Sequence, residues 1–421
     1  MIRDTHGVGR RWQSVGRSVQ GLQRRCVTGG VLLANHIEPV TPDMHMRAYP
    51  KRPQRRTRQR ALLLVMALVV SVIFSACSTP PLMPYSADTP PLVLIPASVA
   101  GVQDKRGRFR EIFCQVLAAR GPSLPDYRLC DEALTRVGAE PAGTGERVEL
   151  GASKRRLIAA LVPGVGWDCF ADWLELHSSG AAHVRQFGYD QILLTVDGLS
   201  GSANNARQIR DAIMQMEVVG TEPRLVLIGY SKGAPDILEA VVSYPEIRPR
   251  VAAVVSAAGA VGGSPLANDA DQKQLAFLQH WPGARCTPGD GRAVESLRPG
   301  TRLAWLAAHP LPREVPYYSV VTFPEPGRIS SVLSASYTKL SRVDARNDSQ
   351  MLFYDQVIPG STLMGYLNAD HWALAVPVSR SHPWLGSILI SHNDYPREAL
   401  LEALLRFVEW DLENRGLHRI S

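Results

Sequence analysis

From about residue 150 the chain alternates short, continuous apolar runs with longer segments whose apolar positions recur at helical spacing. Arg156–Pro163 (RLIAALVP) is unbroken by polar residues after Arg156 and is stopped by Pro and Gly, the pattern of a strand buried on both faces of a parallel sheet. The unit recurs as Gln191–Val196 then Ser202–Met216, Arg224–Ile228 then Gly233–Val242, Arg250–Ala257, and later Tyr317–Phe323. Strands alternating with helices of ten or more residues predict an α/β fold, a mostly parallel central sheet with helices on both faces. Residues 262–312 break the rhythm with no clear strand and predict a helical cap insertion, in which Leu275, Phe277, Leu278 and Trp281 would line a pocket or hold the cap down. Leu400–Leu412 predicts a final amphipathic helix.

Upstream the pattern is different. Lys51, Arg52, Arg55, Arg56, Arg58 and Arg60 lead into Ala61–Ala76, an uncharged run ending in Phe74-Ser75-Ala76-Cys77. The run is shorter than the roughly 20 apolar residues a membrane-crossing helix needs, and small residues precede the cysteine. This resembles a bacterial lipoprotein signal peptide, with Phe74 where that family usually has Leu. The resemblance implies that Cys77 becomes the acylated first residue, and Ser78 behind it implies an outer-membrane destination facing the periplasm. Met44 or Met46 would then be the start, making residues 1–43 an extension ahead of the true protein and 44–76 the signal peptide. The Pro-rich stretch 77–99 reads as an extended tether, and the folded domain as 100–421.

Composition changes one inference. The net charge of +7 suggests a nucleic-acid partner until it is located: residues 1–60 hold thirteen basic and three acidic residues, while 77–421 hold 33 and 36. The folded part is mildly acidic, and no nucleic-acid partner is expected. With Cys77 lipidated and Cys26 in the leader, Cys114, Cys130, Cys169 and Cys286 remain, an even number in an exported chain. A Cys114–Cys130 bridge would join two helices across a Pro-containing turn; Cys169–Cys286 would follow by elimination, or both would stay buried thiols. No pair has zinc spacing, no phosphate or dinucleotide loop is present, and neither metal nor cofactor is expected. Ser200 and Ser202 read as N-caps of the helix that follows, and Trp167, Trp173, Trp281 and Trp305 as packing rather than a sugar platform.

The chemistry lies where Leu225–Ile228 runs into Gly229-Tyr230-Ser231-Lys232-Gly233 and a helix follows, a G-x-S-x-G in strand–turn–helix context. Such a turn holds the middle residue in a strained conformation and exposes its hydroxyl at the sheet edge, near the positive end of the helix. Here the chain, over roughly 150–415, resembles the α/β-hydrolase superfamily, its lipase and esterase branch especially. That family orders its residues nucleophile, acid, histidine. Asn347-Asp348-Ser349-Gln350-Met351 resembles the N-D-G-x-V acid turn with Ser349 in place of Gly, and Val357–Gly360 follows as a short strand and turn. Asn368-Ala369-Asp370-His371 resembles the D-H loop. The resemblance implies Ser231 as nucleophile, His371 as base and Asp348 as the group holding its tautomer; Asp344, Asp355 and Asp370 compete for the acid, His382 and His392 for the base. Pro163-Gly164-Val165-Gly166-Trp167 resembles the family's H-G-x-G-x turn with Pro163 for His, so the oxyanion donors would be the backbone N–H groups of Lys232 and Val165. The Lys232 ammonium would be solvated, ion-paired or an attractor of anionic substrates.

The function expected is an envelope-anchored serine hydrolase cleaving carboxylic esters, small or lipid, through an acyl-enzyme on Ser231. An acyltransferase or thioesterase with the same triad, and a non-catalytic binding lipoprotein, are the alternatives. Acyl length and oligomeric state are not legible in the sequence.

Overall fold

The computed structural model describes residues 101–169, 178–217, 224–270, 286–381, 383–384, 392 and 394–418. The extension, signal peptide, Cys77 and tether expected in 1–99 lie outside them, as do Trp173, Leu275, Phe277, Leu278, Trp281 and His382. No helix among the described residues is long and apolar enough to cross a membrane.

Eight strands are present among the described residues: β1 (Gln103–Asp104), β2 (Leu134–Thr135), β3 (Ile158–Val162), β4 (Asp190–Leu193), β5 (Leu225–Tyr230), β6 (Val251–Ala257), β7 (Tyr317–Thr322) and β8 (Thr362–Leu367). They form one sheet in the order β1-β8-β7-β6-β5-β3-β4, parallel at every step, with β2 antiparallel against β8. The α/β fold expected from the alternating pattern is therefore the observed one. The order reverses beside β3, since β4 lies outside it and β5 inside, and such a switch point opens a crevice at the carboxyl ends of the strands.

Helices α1 (Arg106–Arg120), α2 (Cys130–Ala133), α3 (Ser178–Arg185), α4 (Ser202–Gln215), α5 (Gly233–Ser243), α6 (Pro299–Ala308), α7 (His371–Ala375) and α8 (Arg397–His418) account for most of the remainder. The period-two alternation of strand side chains divides the core between the two faces. Val226 and Ile228 of β5 join Phe109, Phe113 and Phe407 in the cluster under α1 and α8, while Leu225 and Leu227 join Ile209, Ile213, Ile237 and Val241 under α4 and α5.

Three expectations need correction. Val357–Gly360 is no strand: a short 3-10 turn, Phe353–Gln356, precedes it, and the strand is the more hydrophobic Thr362–Leu367 just beyond. Helix α8 is longer than Leu400–Leu412 and not amphipathic in use, because Glu398, Glu402, Arg406, Glu409 and Asp411 are buried as well. Those charges are tolerated because each is paired: Glu409, for example, accepts from the Ser153 hydroxyl at 2.7 Å and the Tyr189 hydroxyl at 2.7 Å. Neither Ser200 nor Ser202 caps α4. Its N-cap is Gly201, and the Ser200 hydroxyl instead accepts the Asp290 N–H at 2.9 Å.

Both disulfides are formed. Cys114–Cys130 joins α1 to α2 with Cα atoms 5.1 Å apart, and Cys169–Cys286 bridges residues 117 apart in sequence with Cα atoms 4.0 Å apart, so the buried-thiol alternative does not hold. In the described part of 262–312, α6 presents Arg302 and Trp305 to the main domain, where the guanidinium lies 4.7 Å from the indole centroid.

Candidate active site

Strand β5 delivers Ser231 to the carboxyl edge of the sheet in a left-handed conformation, φ +55°, which costs a non-glycine residue on the order of 1–3 kcal/mol. The surroundings impose it. A Cβ on Gly229 would run into the Ala234 backbone, and one on Gly233 into the Val162 carbonyl of β3, so the elbow closes only with glycine at both places. The Ser231 carbonyl accepts the Ala234 N–H at 3.2 Å and the Ala260 N–H at 2.9 Å, which hold the turn from both sides.

His371 opens α7, and Asp370 is the N-cap, its carboxylate accepting the Ala373 N–H at 2.8 Å and the Ser330 N–H at 2.9 Å. Burial raises the Asp370 pKa against those hydrogen bonds. The imidazole Nδ1 lies 2.8 Å from Asp348 Oδ2, and the His371 N–H donates to the Asp348 carbonyl at 2.9 Å. Asp348 Oδ1 accepts the Gln350 and Met351 N–H groups at 2.9 and 2.8 Å, and Oδ2 accepts the Thr322 hydroxyl at 2.8 Å. A carboxylate surrounded by donors acts as acceptor toward His371 too, so Nδ1 carries the proton and Nε2 keeps its lone pair. Tyr230, the residue before Ser231, stacks on the imidazole at 4.9 Å between centroids and donates its hydroxyl to the His371 carbonyl at 2.7 Å. Burial, then Asp348, push the Tyr230 phenol well above its ordinary range, so it remains a donor.

Of the competing acids, Asp344 is bound to Arg346 at 2.7 Å, Asp370 is the cap, and Asp355 sits against Gly262 with its pKa pushed up to about 7 by burial. Asp348 alone of the four is on His371. The turn that carries it keeps the demand for glycine: Ser349 has φ +79°, and its buried hydroxyl has no hydrogen-bond partner among the described residues.

Lys232 is neither solvated nor open to substrate. Its ammonium is buried and donates to both oxygens of Asp236, at 2.7 and 2.8 Å, one turn along α5. Burial lowers its pKa and Asp236 opposes the shift. The Pro163–Trp167 turn lies beside the elbow, since a Cβ on Gly164 would stand 2.8 Å from Ser231 Cβ and 3.1 Å from its Oγ. Among the described residues, neither the Lys232 nor the Val165 N–H is spent on a protein acceptor.

Sequence reasoning missed Thr322 and Gln356. The Gln356 side chain clamps the Thr322 peptide, its Oε1 accepting the Thr322 N–H at 2.7 Å and its Nε2 donating to the Thr322 carbonyl at 2.8 Å, and so aims the hydroxyl at Asp348. Thr322 is legible only as a polar residue closing the apolar run of β7; for Gln356 there is no local signal. Among the described residues no cluster of His, Cys, Asp and Glu is arranged to hold a metal ion.

No family model matches the chain, and no curated protein sequence does. Solved structures do. The crystal structure of the metagenomic carboxyl esterase MGS0156 shares 43% sequence identity, with 77% of this chain and 97% of that one covered and a TM-score of 0.71. The mature Bacillus licheniformis lipase BlEst2 covers 58% of this chain and 96% of its own at 17% identity and TM-score 0.44. Staphylococcus hyicus lipase covers 64% and 99% at 11% identity and TM-score 0.45. With an identity of 43% extending over most of both chains, on the parallel sheet and serine elbow described above, this chain belongs to the carboxyl-esterase family of α/β-hydrolases.

Proposed function

We propose that the enzyme cleaves carboxylic esters through an acyl-enzyme on Ser231. In this reading His371 Nε2 takes the Ser231 hydroxyl proton as Oγ attacks the ester carbonyl carbon. The carbonyl oxygen becomes an oxyanion held by the Lys232 and Val165 N–H groups, and collapse expels the alkoxide, which receives the proton from His371. Water then repeats the sequence on the acyl-enzyme, releasing the acid and restoring Ser231. Asp348 holds the Nδ1–H tautomer and stabilises the imidazolium formed twice per turnover. The observation carrying this reading is the 2.8 Å His371–Asp348 hydrogen bond on a histidine stacked against the elbow of a strained Ser231.

The same proposal extends to location. The basic run, the 61–76 apolar stretch and Cys77 support acylation of that cysteine and anchoring in the cell envelope, outer membrane included, with small or lipid esters as substrates.

The test uses the full chain and Ser231→Ala with a fluorophosphonate probe and p-nitrophenyl esters of short to long acyl chains. Labelling and hydrolysis are expected in the first protein and absent from the second; labelling that survives the substitution overturns the nucleophile. Product carrying an added alcohol or thiol in place of water would make transfer the dominant reaction. Incorporation of labelled fatty acid by the full chain in cells, lost in Cys77→Ala, tests the anchor.

A further inference from the structure

The family turn that supplies the second oxyanion donor begins with His, and here Pro163 stands in that place. Something else must hold the loop. Three residues past Val165, Asp168 accepts the Gly198 N–H on Oδ1 at 3.2 Å and the Thr287 N–H on Oδ2 at 2.9 Å. Its neighbour Cys169 is bonded to Cys286, and the Gly166 N–H donates to the Gly198 carbonyl at 3.1 Å. One carboxylate thus joins the loop after β3 to the loop after β4 and to a returning segment within the 262–312 insertion. That returning segment is itself seated on the β4 loop, since Asp290 Oδ1 accepts the Gly201 N–H at 2.8 Å.

A Cβ on Gly164 would stand 2.8 Å from Ser231 Cβ, so these ties bear on where the backbone at Gly164 and Val165 stands over the serine. We propose that Asp168, backed by the Cys169–Cys286 disulfide, is the positioning residue of the oxyanion hole, holding the loop that carries the Val165 N–H. The proposal rests on the reading of Ser231 as nucleophile. A backbone donor contributes to rate only when already aimed at the place where the oxyanion forms. Loosening its loop therefore weakens binding of the transition state and leaves binding of the ester itself nearly untouched.

The experiment compares the full chain with Asp168→Ala, Asp168→Asn and Cys286→Ser in ester hydrolysis and in inhibition by a trifluoromethyl ketone, which Ser231 converts to a tetrahedral oxyanion. For Asp168→Ala, kcat is expected to fall about 30-fold with KM within about twofold, and the ketone Ki to rise by the same factor as kcat falls. Asp168→Asn keeps one acceptor and is expected to lie between. Cys286→Ser should follow the same line of Ki against kcat, while the double variant lacking Cys114 and Cys130 stays at the wild-type point. A folded Asp168→Ala enzyme with unchanged kcat, or a KM that rises while kcat and Ki stay put, overturns the proposal; should Asp168→Ala fail to fold, Asp168→Asn is read by the same criteria. Failure of the nucleophile reading looks different, because the wild-type enzyme would then not bind the ketone at all.

Discussion

Among the described residues are two buried histidine–carboxylate pairs of nearly equal geometry. His371 Nδ1 lies 2.8 Å from Asp348, and His183 Nε2 lies 2.7 Å from Glu402. Both rings stand against an aromatic residue, His371 on Tyr230 and His183 on Phe187. The difference is in what surrounds the acid. Glu402 is shared with Arg406 at 2.7 Å and Arg120 at 3.4 Å, so its pair is one corner of an ion cluster locking α8 against α1 and α3. Asp348 has no arginine or lysine partner among the described residues; it is held by backbone N–H groups and a threonine, and its histidine opens a helix beside the strained serine. A histidine and an acid in contact are thus not by themselves a catalytic dyad. In the proposed mechanism the pair that acts is the one whose acid is oriented by fixed dipoles rather than by mobile charges, beside the strained Ser231.

Exchanging acid for amide in each pair should separate the two roles most widely. Asp348→Asn is expected to lower kcat by about 10⁴-fold with little change in stability, because it favours the wrong imidazole tautomer. Glu402→Gln should instead destabilise by about 3–5 kcal/mol, two arginines losing their buried partner, while kcat per folded molecule stays within about twofold. Urea unfolding beside titrated active-site kinetics checks both, and similar phenotypes would erase the distinction. Next in size is Thr322→Val, which removes one donor from Asp348 and should cost about tenfold in kcat, measured by steady-state kinetics.

A third carboxyl sharpens the contrast by having no histidine. Asp355, raised to about 7 by burial, keeps in the folded state a proton that the unfolded chain gives up near pH 4. Stability should therefore fall as pH rises from about 4 to about 7 and level off above. Asp355→Asn should flatten that decline, seen as a Tm gain at pH 8 larger than at pH 5. The smallest effect is expected from Ser349→Gly. It relieves a φ of +79° and removes a buried hydroxyl without a partner, for a gain of about 1 kcal/mol in thermal unfolding.

The sequence marked Ser231, Asp348 and His371 because each stands in a short local pattern, and it marked the sheet because strands buried on both faces read as unbroken apolar runs. It misassigned Val357–Gly360 because an apolar pair before Pro-Gly looks the same whether it ends a strand or leads into one. The Ser200 and Ser202 caps failed for another reason: a distant segment carrying Asp290 engages the Ser200 hydroxyl and the Gly201 N–H, and the N-cap falls on Gly201, which has no side chain to cap with. Thr322, Gln356 and Asp168 were invisible because their partners lie 26, 34 and 119 residues away. What chain-local patterns encode is the chemistry, and what long-range contacts encode is its aim.

The closing of the sheet by β1 on β8 bears on how this chain acquires its structure. Gln103 pairs with Thr362, Lys105 reaches Asp411, and Phe109 meets Phe407 with ring centroids 5.9 Å apart. The first described segment therefore finds its partners in β8 and α8 only after some 260 residues or more of chain have followed it. During synthesis, which runs from the N-terminus, that flank stays open until α8 has emerged. Closing so long a loop is entropically slow, and until it closes the apolar faces of Phe109 and Phe113 are available to holdases and proteases. The last helix to be made is the one that ends this exposure.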